Sequence, residues 1–271
     1  MSESNFQTSC CSPSTDNGIE NRFSAEIYNF YDSVAKGDGP YNLNENKFSP
    51  SAPTKKILEY ITANDKKRIL DMGSGMGTTL IDLTKKHESG QQFIGIDFSE
   101  NMIAKSRENS KKLDEKLQKK IGFFKGNLDD LPFMDKQFDF VYSECVMNLV
   151  SDREKVVSEA YRVLETGGLF VYTDFVSFKP VSEDVKYNEG LVCGCRGGSI
   201  SLSENIKILE NQGFRNIESI DFSIDKDKRD QYLRLEHDAI RKEHEKLVKE
   251  NPDVAKFIDE ELGYYLICGK K

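Results

Sequence analysis

From Arg68 onward, short apolar runs of strand length alternate with stretches whose apolar residues recur every three or four positions. The runs are RILDM from Arg68, QFIGID ending at Asp97, IGFFKG from Ile121, FDFVYSECV from Phe138, LFVYTDFV after Gly168, FRNIESIDFSI from Phe214 and LGYYLICGK from Leu262. Each is bounded by turn residues or charge, the pattern of buried strands. Helical periodicity fills the intervals. Thr78–Lys86 presents Leu80, Ile81 and Leu83 on one face, and Ser99 with Met102 three places on opens a helix that continues through the charged run SRENSKKLDEKLQKK. Asp152 caps a helix through Val156, Ala160 and Leu164, a turn at Thr166, Gly167 and Gly168 follows it, and Leu202–Gln212 ends at Gly213. These are ordinary start and stop signals. Strands and helices in this rhythm predict right-handed crossovers and an α/β fold with a mostly parallel sheet.

The flanks read differently. Residues 1–21 are rich in Ser, Thr, Asn and Pro and predict a mobile tail that carries Cys10 and Cys11. Residues 22–35 place Phe23, Ile27, Phe30, Tyr31 and Val34 on one helical stripe, an N-terminal cover for the domain. Residues 41–53 read as a loop, and Thr54 as the cap of a helix through Ile57, Leu58 and Ile61. Beyond Phe178 come a linker and a glycine-rich cysteine stretch, GLVCGCRGGSIS. Residues 225–250 predict a long charged helix whose thin stripe of Tyr232, Leu235, Ala239 and Leu247 favours a solvated surface over a lid or dimer contact. The expected organisation is a tail (1–21), a ligand-binding domain with its cover helix (22–178), and a substrate or lid region that also supplies the last strands (179–271).

The first strand runs into RILDMGSGMG, where Asp71 precedes Gly73, Ser74, Gly75 and Gly77. Glycine at every second position lets a ligand lie against the backbone of a strand-to-helix turn. Some twenty residues on, Asp97 ends the second strand, suited to accept hydrogen bonds from two ribose hydroxyls. In a parallel sheet Gly73, Asp97, Asn127 and Cys145 all gather at the carboxyl edge, where ligands bind.

A formal net charge of −8 and only 3 His argue against a broad basic surface for nucleic acid, so a small molecule is the expected partner. No basic start followed by an apolar core opens the chain, and no run of about 18 apolar residues occurs, so a cytoplasmic location without membrane spanning is expected. In that reducing setting the six cysteines, Cys10, Cys11, Cys145, Cys193, Cys195 and Cys268, would stay thiols.

LDMGSGMG, the acid in GIDFSENM, GNLDDLPF and the run AYRVLETGGLFVYTDF together resemble the class I S-adenosylmethionine-dependent methyltransferases, over roughly residues 55–270. The resemblance implies a Rossmann-like, seven-stranded, mostly parallel sheet with helices on both faces. It implies S-adenosylmethionine as cofactor, with Asp71, Gly73, Ser74, Gly75 and Gly77 along its methionine part. Asp97, with Phe98 and Met102 beside it, would hold the ribose, and Asn127 and Leu128 would flank the adenine, while Tyr31 is balanced between core packing and covering the cofactor. Asn127 stands where the family more often has Asp.

A narrower resemblance is to the arsenite methyltransferases, on SECVMNLVSDREKVVSEAYRVL, CGCRGGSIS, NFQTSCC and YDSVAKG. It implies Cys145 and Cys195 as the thiols that hold a trivalent arsenical, Cys193 as a neighbour, and Cys10 and Cys11 as contributors. Glu144 replaces the family's Asn, and GPYNLNENKFS lacks the cysteine often found there, which leaves the third thiol open. A thiol reductant such as glutathione or thioredoxin would serve the enzyme. Trivalent arsenic is soft and takes three ligands in a pyramid with its lone pair pointing away from them. A lone pair facing the sulfonium methyl needs no general base, which suits a chain poor in His.

The cysteines also have plainer readings. Free Cys often fills a core, as expected for Cys268, and C-x-C with a distant Cys could form a structural zinc site, although a fourth ligand is missing. Two other functions stay open: methylation of a small organic acceptor with Glu144 as base, and a non-catalytic metalloid sensor.

Overall fold

A computed structural model describes residues 20–37, 51–63, 65–86, 90–186, 188–223, 246 and 249–271. Cys10, Cys11, most of the predicted 41–53 loop and nearly all of the predicted 225–250 helix lie outside them. Seven strands form one sheet: β1 (Arg68–Met72), β2 (Gln92–Asp97), β3 (Ile121–Lys125), β4 (Phe138–Glu144), β5 (Leu164–Ser177), β6 (Arg215–Asp221) and β7 (Leu262–Lys270). Their order is β3-β2-β1-β4-β5-β7-β6. The first five are parallel, and β7 runs antiparallel between β5 and β6. Because β1 pairs with both β2 and β4, strand addition reverses there and leaves a crevice beyond their carboxyl ends.

The helices among the described residues are α1 (Glu20–Lys36), α2 (Ser51–Ala63), α3 (Thr78–Lys86), α4 (Glu100–Ser110), α5 (Glu115–Gln118), α6 (Arg153–Val163), α7 (Glu183–Lys186), α8 (Glu189–Cys193), α9 (Leu202–Gln212) and α10 (Pro252–Glu260). Alternate strand residues fill opposite faces of the sheet. Leu70, Met72, Val141, Phe170 and Ile267 pack with Val156, Ala160 and Leu209 from α6 and α9. Ile69, Phe140, Tyr142, Val171 and Leu266 pack with Ile57, Ile61, Leu80 and Leu83 from α2 and α3. Cover on both faces explains why the central strands read as unbroken apolar runs.

Capping places the helix starts. Ser99 accepts the Met102 amide, Asp152 accepts that of Lys155, and Ser201 and Glu204 form a reciprocal capping box. Gly213 closes α9 with φ +103°. In four places the structure departs from the pattern. The charged run after Ser99 is two helices, because α4 stops at Ser110 and Asp114 caps a new turn through the Leu117 amide. Leu164 begins β5 instead of ending α6. Helix α2 starts three residues before Thr54, with Pro53 in its tolerant first turn, so Thr54 is not its cap. The cysteine stretch is partly helical: α7, α8 and α10 bury Val185, Leu191, Val254, Phe257 and Ile258 together. Among the described residues no helix is long and apolar enough to cross a membrane.

Candidate active site

The glycine turn after β1 is anchored by its own backbone. Gly73 and Ser74 both donate to the Ile96 carbonyl, at 2.8 and 3.0 Å. At Gly73 a Cβ would strike Val146, whereas at Gly75, with φ +51°, it would meet nothing within 4 Å and would project into open space. Gly77 abuts the Phe123 ring. Asp97 is buried, and its two carboxylate oxygens accept the Gly75 and Ser99 amides at 2.9 and 3.0 Å. Each oxygen keeps capacity for a further donor. Burial raises its pKa to about 6 against the pull of those amides. Ser74 Oγ is buried with no hydrogen-bond partner. An acceptor pair short of donors, an orphaned hydroxyl and a bare glycine backbone fit a ligand that brings vicinal hydroxyls and a flexible chain.

Helix α1 closes over this turn. Val34, Phe30 and Tyr31 pack on Met76 and Met102, and Asp32 accepts from Asn101 at 2.6 Å and Ser99 at 3.3 Å. The Lys36 ammonium holds the Asp32 carboxyl below its usual range. Phe98 is half-buried, edge-on to Tyr28 at 5.5 Å. Asn127 is exposed at the exit of β3, Leu128 packs on the core, and Asp71 accepts the Tyr142 hydroxyl at 2.8 Å.

The thiols converge beside the same crevice. Cys145 follows the last residue of β4 and its amide extends the ladder to Thr173 O at 2.7 Å. Cys195, fifty residues on, points its Sγ at the Cys145 carbonyl at 2.8 Å. Both are buried, in one cluster with Tyr264, Leu149, Phe175 and Phe222. The bond to the Cys195 thiol, then burial, pushes the Cys145 thiol well above its ordinary pKa. Tyr31 donates to the Cys193 carbonyl at 3.0 Å and lies 3.6 Å from Cys195 Sγ. Burial and the nearby thiols push its hydroxyl up as well. Both Cys145 and Cys195 adopt left-handed backbone, φ +57° and +61°. Such strain on a residue with a Cβ concentrates at functional sites.

Cys193, at the end of α8, and Cys195, two residues beyond it, are exposed by only 5% and 1%, so the glycine-rich stretch folds them into the interior. Cys268 is buried within β7 among the residues that pack on α2 and α3, outside the cluster that holds the pair. Among the described residues no three His, Cys, Asp or Glu side chains are placed to hold a metal ion. Glu144 is half-buried and accepts the Thr54 hydroxyl at 2.6 Å, which gives Thr54 its place. The sequence reading missed Asn148, Arg153 and Asp174, a buried polar group behind Cys195. Asp174 accepts the Asn148 amide at 2.9 Å, and burial raises its pKa to about 7. The signal was an acid inside the apolar run LFVYTDFV.

A family model described as a methyltransferase domain matches residues 63–237. The chain is 31% identical to the arsenite methyltransferase of Halobacterium salinarum over 55% of its own length, and spans 38% of that protein. To the arsenite methyltransferase of Rattus norvegicus it is 31% identical over 70% of its length, and spans 58% of that protein. The chain thus covers less than two thirds of either relative. Among solved structures, phosphoethanolamine N-methyltransferase 2 of Haemonchus contortus superposes with a TM-score of 0.68 at 22% identity, covering 90% of this chain and 60% of that one. Strand order, glycine turn and family match over well more than half of the sequence agree: the chain belongs to the methyltransferase domain family, with the class I S-adenosylmethionine-dependent fold.

Proposed function

We propose that the chain methylates trivalent arsenic, as arsenite or methylarsenite, held by the Cys145 and Cys195 sulfurs, and that the products are a methylated arsenical and S-adenosylhomocysteine. The carrying observation is the meeting of these two buried thiols, fifty residues apart in sequence, beside the glycine turn. The arsenite methyltransferases among the relatives support the substrate class.

In this reading Asp97 accepts the ribose hydroxyls, and Gly73, Ser74, Gly75 and Gly77 line the methionine part with Asp71 behind them. Phe98, Met102, Asn127 and Leu128 flank the nucleoside, and Tyr31 covers it. S-adenosylmethionine supplies, when bound, an electrophilic methyl group on a sulfonium. The resting Cys145 thiol is protonated, as its raised pKa requires. Each sulfur bonds arsenic as an arsenic hydroxide leaves, and the thiol proton departs with it as water. Two sulfurs complete a monosubstituted arsenical; arsenite needs a third, from Cys193, Cys10 or Cys11. Tyr264, Phe175 and Leu149 keep water from the adduct, and fixing the reactants can lower a barrier by about 7–11 kcal/mol in well-oriented cases. A thiol reductant such as glutathione or thioredoxin keeps the cysteines free, as the reducing cytoplasm would.

The test is incubation with arsenite or methylarsenite, reductant and methyl-labelled cofactor. Label is expected in the arsenical, and Cys145→Ser and Cys195→Ser are each expected to lose at least about 100-fold in rate with binding of S-adenosylhomocysteine retained. Label appearing only in an organic acceptor overturns the reading. A second reading, methylation of a small organic acceptor with Glu144 as base, draws on the Glu144 carboxylate at the end of β4. It expects both Ser variants to stay active and Glu144→Gln to be inactive.

A further inference from the structure

Asn148 lies three residues beyond Cys145, on the loop that leaves β4, and is buried. Its Nδ2 lies 2.8 Å from the Cys195 carbonyl, 2.8 Å from Asp174 Oδ1 and 2.9 Å from the Phe175 carbonyl. Its Oδ1 accepts Arg153 Nη2 at 2.6 Å, and its backbone amide donates to Asp174 Oδ2 at 2.9 Å. Arg153 Nη2 also donates to the Gly198 carbonyl at 3.0 Å, and Nη1 to Asn205 Oδ1 at 2.9 Å, which receives the Tyr172 hydroxyl as well. Gly198 presses so closely on the Asn148 carbonyl that a Cβ there would come within 2.0 Å of it.

The loop that carries Cys195 is therefore tied to the loop that carries Cys145 by one side chain and its arginine partner. The tie falls on the Cys195 carbonyl, which closes the residue whose backbone is left-handed. A strained residue of that kind persists only where its surroundings over-determine it. An amide alone supplies the two donors and one acceptor used here; a carboxylate has no donor, and an alkyl group has neither.

We infer that Asn148, braced by Asp174 and Arg153, is a positioning residue that fixes the spacing of the Cys145 and Cys195 sulfurs so that both bind one soft trivalent centre. It rests on the reading of these cysteines as arsenic holders, and it adds what keeps them in register. Asn148 acts through Cys195. The S–As–S angle is narrow, so slack in the Cys195 loop turns a two-sulfur chelate into a one-sulfur adduct.

The probe is phenylarsine oxide, a trivalent arsenical that takes two sulfurs and needs no methyl transfer. It is titrated into the wild type, Asn148→Ala and Asn205→Ala, with sulfur neighbours counted by arsenic X-ray absorption and folding checked by S-adenosylhomocysteine binding. The wild type is expected to bind through two protein sulfurs. Asn148→Ala is expected to keep its affinity for S-adenosylhomocysteine within about twofold, yet bind the probe roughly 30-fold more weakly through one sulfur. Asn205→Ala, at the far end of the same network, is expected to bind it within about threefold of wild type. Wild-type affinity and two sulfurs in Asn148→Ala would overturn the proposal. So would an equal loss in Asn205→Ala, which would make the network merely structural. Should Asn148→Ala not fold, Asn148→Ser, whose hydroxyl is too short to reach the Cys195 carbonyl, takes its place under the same criteria. A wild type that chelates the probe but methylates no arsenical removes the proposed function and leaves the positioning role. A wild type that methylates arsenite while the variant chelates normally removes only the positioning role.

Discussion

Cys145 and Cys195 each carry a Cβ on backbone that glycine would adopt without penalty. The left-handed conformation costs about 1–2 kcal/mol on such a residue. At both positions a Gly variant is therefore expected to exceed the Ala variant in unfolding free energy by about 1 kcal/mol, the reverse of the order in a helix. Urea denaturation checks this, and Ala at or above Gly would refute the strain. Asp97 gives a second prediction. Its pKa is raised from 3.8 to about 6, so its contribution to stability is fully present below the unfolded value and lost as pH rises through about 6. Ionised, it is a liability that ligand hydroxyls would offset in the proposed cofactor site. Affinity for S-adenosylhomocysteine is expected to be flat above about pH 7 and to fall up to tenfold per unit below about 6. Calorimetry across that range should show Asp97→Asn flattening the profile.

Among the elements, α1 joins the two halves of the crevice: its apolar face covers Met76 and Met102, and its Tyr31 hydroxyl reaches the cysteine loop. Loss of the Asp32 anchor should loosen both ends together. Asp32→Ala is expected to weaken S-adenosylhomocysteine and phenylarsine oxide alike, by about 5–30-fold, and to speed amide exchange in α1. Tyr31→Phe is expected to weaken only the arsenical. Equal effects of the two variants on both ligands would remove the bridging role. Sequence alone showed β2, β7 and the capped start of α6, because continuous apolar runs and cap residues are local signals. It also showed the glycine turn and Asp97. It missed α8, because four glycines in GLVCGCRGG suggest a loop while its apolar partners Val254 and Phe257 lie some sixty residues away. Thr54 looked like a cap for a similar reason: its partner Glu144 is ninety residues distant. Left-handed cysteines and a shared amide at Asn148 have no local pattern at all.

Across the whole molecule, the two faces of the sheet are held by separate apolar clusters, while the crevice is built mainly from loops at one edge. A ligand that bridges the glycine turn, Asp97 and α1 should therefore act on global stability by mass action. Saturating S-adenosylhomocysteine at 100 times its dissociation constant is expected to add about 2.7 kcal/mol, roughly 5–10 °C in Tm. Differential scanning calorimetry would show it, and an unchanged Tm would deny cofactor binding by this crevice.

The strained backbone at the two thiols bears on how such chains diverge. If glycine is the more comfortable occupant of either position, drift under pressure for robustness alone pushes toward an inert descendant with its sheet, caps and nucleoside crevice intact. Only a continuing need for the thiols opposes that slide, so in any descendant these two positions report whether the chemistry is still being used.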